Sequence, residues 1–313
     1  MKTLILSHKA DIDGISPVIF LKMIREDLEV CLLNANDINP KIVELIKTKT
    51  YLNYDEIFVT DLTLDKNSCE MIMNTGYSER FKTFDHHAIN LISNNYPFGV
   101  AISKNDDGTN ECATSLFYKY LCEHYKETFD TPAFRDYTEL VRLNDTWDWA
   151  KTNNKDALKL GDLLNLLGRE DYIETYVNFF KNNNEFYFDK NQLYLLDVEE
   201  KRTQRYMEEA EKTMFHAHLC GHNCGIVFAE QHRSLLGNYL AQKYAYCLDY
   251  IVLINMQQGI SFRCIKDDIN VGEIATIFGG GGHIKASGAP MQNDLKREVI
   301  KLIFKDRNMF NNN

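Results

Sequence analysis

Thr3-Leu4-Ile5-Leu6-Ser7-His8-Lys9-Ala10-Asp11-Ile12-Asp13-Gly14 is a short apolar run that stops on a histidine, two aspartates and a glycine. The run reads as a buried strand, and the polar residues fall where the chain turns toward its next element. The same arrangement recurs along the first half of the chain. Residues 57–60 run into Asp61, and residues 81–84 run into Asp85-His86-His87. Further on, Asn144-Asp145-Thr146-Trp147-Asp148-Trp149 places two more carboxylates beside two tryptophans. Carboxylates and imidazoles at strand ends have no packing use. Gathered at one sheet edge they would repel one another unless something positive sat among them, and a pair of divalent metal ions answers that need.

Working outward, residues 3–7, 29–33, 56–60, 81–84 and 98–102 read as buried strands, and 15–26, 40–48 and 65–74 have helical spacing. Asn39 is placed to cap the second helix, with Pro40 at its first position. Alternating strand and helix predicts a mostly parallel sheet covered on both faces, with ligands gathering at the carboxyl ends of its strands. Helices are expected at 112–126 and 132–144, then a largely helical stretch over 155–216. A second α/β unit follows, with strands at 225–229, 250–255 and 260–265 and helices at 234–247 and 271–278. The expected division is a catalytic, metal-binding domain over 1–150, a helical extension and linker over 151–216, and a smaller substrate-binding α/β domain over 217–308. The tail 311–313 is expected to fray.

A chain of 313 residues with 44% hydrophobic content can fill two cores. No apolar stretch is long enough to span a membrane, and Met1-Lys2 leads into the first strand without a cleavage-site pattern, so the cytoplasm and no membrane partner are expected. The eight cysteines lie mostly inside apolar segments and read as reduced core residues. A net charge of −10 disfavours tight binding of long nucleic acid. The charge is unevenly spread: residues 1–150 hold 15 basic and 24 acidic side chains, whereas 217–313 hold 10 and 8. The first part suits cations, and the last tolerates an anion.

Each cluster also has a plainer reading. Asp11 or Asp61 alone could simply cap a helix, double histidines can be surface accidents, and the tryptophans could pack on a helix end. Convergence of all the clusters by strand order favours a metal site. In the last third, Gly279-Gly280-Gly281-Gly282-His283 alone would be a hinge, but with Arg263 on a preceding strand it makes an anion site of bare N–H groups and a guanidinium fork. His216, His218, Cys220, His222 and Cys224 alternate, so on one extended strand all five would share a face as zinc ligands do. Structural zinc draws on two separated ligand pairs, and none is near this run.

These motifs resemble those of the DHH phosphoesterases that carry a second domain called DHHA1, over most of the chain. The first motif stands as His8, Asp11 and Asp13, the second as Asp61, the third as Asp85-His86-His87 and the fourth as Asp145-Thr146. The second domain's signature stands as Ser261-Phe262-Arg263 and Gly279-Gly280-Gly281-Gly282-His283 with Ala286-Ser287-Gly288. One departure is the spacing from His8 to the two aspartates, a residue shorter than in many members.

The resemblance implies that His8, Asp11 and Asp61 hold one ion and that Asp13, Asp61, His86 and Asp145 hold the other, Asp61 bridging. Two Mn²⁺ per chain are implied, with Mg²⁺ or Co²⁺ as substitutes; oxygen and imidazole ligands without thiolate suit Mn²⁺ or Mg²⁺. Asp61 and His87 are the implied catalytic residues, with His87 on the scissile phosphate or leaving oxygen. Arg263, Gly280, Gly281, Gly282 and His283 are the implied substrate contacts. Within the family the Asp145-Thr146-Trp147 form of the fourth motif looks most similar to the nanoRNA-degrading oligoribonucleases. The expected activity is therefore metal-dependent cleavage of RNA oligomers of a few residues to 5′-mononucleotides. Cyclic or linear dinucleotides and 3′-phosphoadenosine 5′-phosphate stay open as substrates, as do assembly into a homodimer and a nucleotide-binding regulator with a vestigial centre. A pyrophosphatase ranks low because it would lack the glycine loop.

Overall fold

The computed structural model describes residues 1–291 and 293–304; the expected frayed tail and the end of the expected second domain, 305–308, lie outside them. The chain divides into two compact units, Met1–Leu196 and Asp197–Asn313.

In the first unit, strands β1 (Thr3–His8), β2 (Leu28–Leu33), β3 (Glu56–Thr60), β4 (Phe81–Asp85) and β5 (Gly99–Ala101) form one parallel sheet in the order β2-β1-β3-β4-β5. Successive side chains alternate between faces, and both faces are covered. Leu4, Leu6, Ile57, Val59 and Phe81 face α2 (Ile38–Lys47) and α3 (Lys66–Asn74) on one side. Ile5, Phe58 and Phe84 face α1 (Ile12–Lys22), α4 (Ala113–His124) and α6 (Pro132–Asp145) on the other. The short helices α5 (Lys126–Phe129) and α7 (Asp148–Thr152) flank α6, and α8 (Asp156–Leu167), α9 (Arg169–Asn182) and α10 (Lys190–Lys212) follow.

Strand order decides where chemistry can gather. The chain leaves β1 toward β2 on one side and returns as β3 on the other, so the carboxyl ends of β1, β3 and β4 lie side by side at a topological switch point.

Two local expectations are corrected. Asn39 does not cap α2, which begins at Ile38; its Nδ2 donates to the Thr63 carbonyl (3.2 Å) and its Oδ1 accepts from the Asp65 N–H (2.9 Å), stapling the loop after β3. Helices α8 and α9, expected in an extension, place Leu160, Leu163, Tyr172, Tyr176 and Phe180 in the core that holds α1. Phe20 of α1 packs edge-on against Phe180, and the Tyr137 hydroxyl meets Ser16 Oγ at 2.9 Å and Tyr172 at 3.1 Å.

The second unit's sheet is mixed, in the order β10 (Gly281–Gly282), β11 (Ala286–Ala289), β9 (Gly259–Arg263), β8 (Tyr250–Asn255), β7 (His222–Phe228), β6 (Phe215–Leu219), with only β7 and β8 parallel. Helix α11 (Arg233–Lys243) covers one face through Leu236 and Leu240, and α12 (Val271–Ile277) the other through Ile274; α13 (Asn293–Phe304) ends the described chain. The His216 to Cys224 run is a hairpin, not one strand. Cys220 and Gly221 turn it at φ of 54° and 83°, pairing His218 with Asn223 and Ala217 with Cys224. His216 and His218 therefore stand on one face and His222 and Cys224 on the other, which removes the shared face that zinc would need. None of the eight cysteines is in a disulfide, and Cys247 is exposed, not buried as its apolar segment suggested.

Candidate metal centre

The site begins with a close approach. A Cβ on Gly14 would lie 2.1 Å from the His8 carbonyl oxygen, so only glycine lets the first turn of α1 press against the end of β1. That contact sets Asp11 and Asp13 beside His8. Asp11 does cap α1, its Oδ1 accepting from the Gly14 N–H (3.0 Å), and its other oxygen lies 3.0 Å from His8 Nδ1. The cap and the site are thus one side chain.

Asp13 is fully buried, and its carboxylate accepts from the Ala113 N–H (2.8 Å) and the Thr114 N–H (2.7 Å) at the start of α4. Four residues on, Pro17 has no N–H to return to the Asp13 carbonyl; the Thr114 hydroxyl donates there instead (2.8 Å). Asp61 follows β3 in a left-handed conformation, φ 56°, strain that clusters at functional positions. Its Oδ2 lies 3.2 Å from His8 Nδ1 and its Oδ1 3.5 Å from His86 Nε2, so one carboxylate faces both sides of the site. Asp145, on the last turn of α6, brings Oδ2 to 3.4 Å from the same His86 nitrogen, and Asp13 Oδ2 lies at 3.7 Å.

Among the described residues, three groups consequently present donor atoms within 4.8 Å of one another: His8, Asp11 and Asp61; Asp13, His86 and Asp145; and Asp61, His86 and His87. The residues fit divalent ions on a further count. Asp145 Oδ2 is buried and accepts no hydrogen bond, and the His86 nitrogen 3.4 Å away is shared with Asp13 and Asp61, so the cluster holds more carboxylate oxygen than that imidazole can satisfy. Hydrogen bonds donated to Asp11 and Asp61 push the His8 imidazole up to about 10. Burial opposes charge on His86, but Asp61, Asp13 and Asp145 outweigh it and push it up to about 10 as well. Burial, with the neighbouring charge of Asp61, raises Asp13 well above the usual carboxylate range. Asp145 is pushed up to about 6, by burial first.

Asp85, buried at 1% exposure, serves another purpose. Its Oδ1 accepts from the backbone N–H of His86 (2.8 Å) and lies 2.7 Å from His87 Nδ1, while Thr63 Oγ1 donates to its Oδ2 (2.9 Å). This holds the His87 ring by Nδ1 and raises its pKa, the Asp85 hydrogen bond being the main cause. Asp148 does not join the site. Arg142 donates to it (3.0 Å), as do Asn110 and Lys151, so its cations are a lysine three residues later and an arginine six residues earlier in the chain. The sequence reading missed Thr114 as the anchor of Asp13 and Arg142 as the partner of Asp148, because both contacts depend on packing between helices.

In the second unit, Arg263 ends β9 and pairs with Ala286 of β11, while Ser261 pairs with Gly288, which pairs in turn with Gly281 of β10. The glycines are structural necessities at two points: a Cβ at Gly280 would lie 2.0 Å from the Gly288 carbonyl oxygen, and Gly282 holds φ 143°. Arg263, the glycine loop and the exposed His283 therefore share one end of that sheet.

The chain is 34% identical over 303 residues to the oligoribonuclease NrnB of Bacillus subtilis (strain 168), covering 96% of this chain and 75% of that protein. No family model matches it. Among solved structures it is similar to the pGpG-specific phosphodiesterase PggH from Vibrio cholerae, with a TM-score of 0.54, 16% identity, and 97% of this chain and 98% of that one covered.

Proposed function

The chain belongs to the DHH/DHHA1 phosphoesterases and is a metal-dependent phosphodiesterase, and from that premise we propose that it hydrolyses RNA oligomers of a few residues to 5′-mononucleotides, with Mn²⁺, in the cytoplasm. The observation that carries the reading is Asp61, whose two oxygens face two separate sets of imidazole and carboxylate donors. His8, Asp11 and Asp61 would hold one ion, and Asp13, Asp61, His86 and Asp145 the other. Such a pair supplies Lewis acidity and lowers the pKa of a nearby water. An all-oxygen and imidazole donor set favours Mn²⁺ or Mg²⁺ over softer metals.

His87 is the proton donor to the leaving oxygen in this reading. Its Nδ1 is occupied by Asp85, which fixes the ring and favours its protonated form, leaving Nε2 for the substrate. Arg263, Gly280, Gly281, Gly282 and His283 would anchor the nucleotide by charge and by bare backbone N–H groups. The name of the Bacillus relative supports short RNA as the substrate.

A substrate panel tests the proposal: RNA dimers to pentamers, longer RNA and DNA, cyclic dinucleotides, phosphoadenosine phosphate and pyrophosphate, each with Mn²⁺ and with excess chelator. Fast, chelator-sensitive release of mononucleotides from the dimers to pentamers is expected. Preference for a cyclic dinucleotide would replace the substrate assignment, and silence on every compound would end it.

A further inference from the structure

Arg263 has a second arginine beside it. Arg233 opens α11, and its Nη1 donates to Ser261 Oγ (3.2 Å) while another guanidinium nitrogen donates to Gln258. Arg263 in turn donates Nη2 to Ser234 Oγ (2.9 Å) and Nη1 to the Phe262 carbonyl (2.9 Å). The two side chains thus cross-brace β9 and the first turn of α11, each holding a serine next to the other arginine. Every acceptor they use is neutral, and among the described residues neither guanidinium forms an ion pair with a carboxylate. Burial, and then the Arg233 charge, pulls Arg263 below the usual guanidinium range.

This arrangement is electrostatically costly as it stands. Two cations share one place, and Arg233 sits at a helix N-terminus, where the backbone dipole already presents positive charge. His232, just before it, holds a left-handed backbone at φ 47°. Ten guanidinium N–H donors are available and the neutral acceptors take only some of them. Next to the pair the sheet is bare. Ser261 and Arg263 share a face with Gly288 and Ala286 of β11 and with Gly281 of β10, and nothing lies within 4 Å of where a Gly281 side chain would begin. A flat ligand could lie on that glycine floor with its charged end between the arginines.

We propose that Arg233 and Arg263 form a two-arginine clamp for the terminal phosphomonoester of a short oligonucleotide, with Arg233 as the residue that sets the preference for a phosphorylated end. A phosphomonoester carries more charge than an internal diester and offers three oxygens to paired forks, so the clamp distinguishes a terminal phosphate from a chain linkage. The inference rests on the oligonucleotide reading for its substrate.

The test keeps the two apart. RNA dimers with a non-cleavable methylphosphonate linkage, carrying a 5′-phosphate, a 3′-phosphate or neither, are titrated into the full-length Mn²⁺-loaded protein. The wild type should bind one of the phosphorylated dimers about tenfold or more tightly than the unphosphorylated one, as expected for charge-assisted hydrogen bonds. In Arg233→Ala and in Arg233→Gln that ratio should fall to near one, with the melting temperature of at least one variant retained. Equal wild-type affinity for all three dimers would overturn the clamp, as would a ratio that survives both substitutions. Because no bond is cleaved, a silent substrate panel with an intact ratio would remove the hydrolytic reading and leave the clamp, and the reverse pattern would do the opposite.

Discussion

Asp61 shows how one residue couples backbone and chemistry. Its left-handed conformation is one that Asn tolerates at least as well as Asp, whereas Ala does not. Asp61→Asn should therefore keep the melting temperature near that of the metal-free wild type while abolishing hydrolysis; an active Asp61→Asn enzyme would contradict a shared metal carboxylate. His87→Asn should lower kcat by about 10²–10⁴-fold with little change in KM, as loss of a positioned proton donor does. A rise in KM alone would make His87 a binding residue instead. That His8, Asp11, Asp13, Asp61, His86 and His87 would cluster was legible because charged groups directly after buried strands gather at one sheet edge; Asp145 ends a helix and was singled out by its motif alone. Asp148 was misleading because it stands beside Asp145 in the motif: Lys151 pairs with it at helical spacing, and Arg142 reaches it from the preceding helix.

Elements carry the site as much as residues do. Gly14→Ala would force α1 away from β1, so it should destabilise the protein by about 1–3 kcal/mol or more and weaken Mn²⁺ binding together, measured by denaturant unfolding and metal titration. Helix α4 anchors Asp13, and its own start is fastened by Glu111, a buried carboxylate that accepts from Asn105, Ser115 and Lys119. Burial works against the ionised form, but those partners hold Glu111 below the usual carboxylate range. Its folded pKa is thus lower than its unfolded one, so the stabilisation is complete above the ordinary glutamate range and is lost as pH falls through the depressed value. Glu111→Gln should lower stability at pH 7 by about 1–3 kcal/mol, and the gap should close toward acid; an equal gap at both ends would exclude this linkage. The strands of the first unit were readable to within a residue or two because the central strands, covered on both faces, are written largely as buried apolar runs. The hairpin at Cys220-Gly221 was not, because the first of its two left-handed residues is a cysteine, which does not announce such a turn as Asn, Asp or Gly would.

At the scale of the molecule, the parallel order β2-β1-β3-β4-β5 assembles residues as far apart as His8 and Asp145 at one sheet end, and the mixed sheet of the second unit does the same for Arg263 and the glycine loop. The alternation of strands and helices made this architecture legible. The edge of the first unit was harder to see, since α9 contributes Tyr172, Tyr176 and Phe180 to its core from beyond the last metal-site residue. Arg263→Ala should raise KM more than it lowers kcat, and a collapse of kcat alone would contradict ground-state anchoring. The centre gathers more negative charge than its imidazoles offset, so ions that bind only the folded chain should raise its melting temperature. The most direct measurement is an equilibrium Mn²⁺ titration of the wild type and Asp61→Asn, counting ions bound per chain. The account predicts two in the wild type and a loss of affinity at both positions in Asp61→Asn; a wild type that binds no ion, or a variant that keeps both, would contradict it.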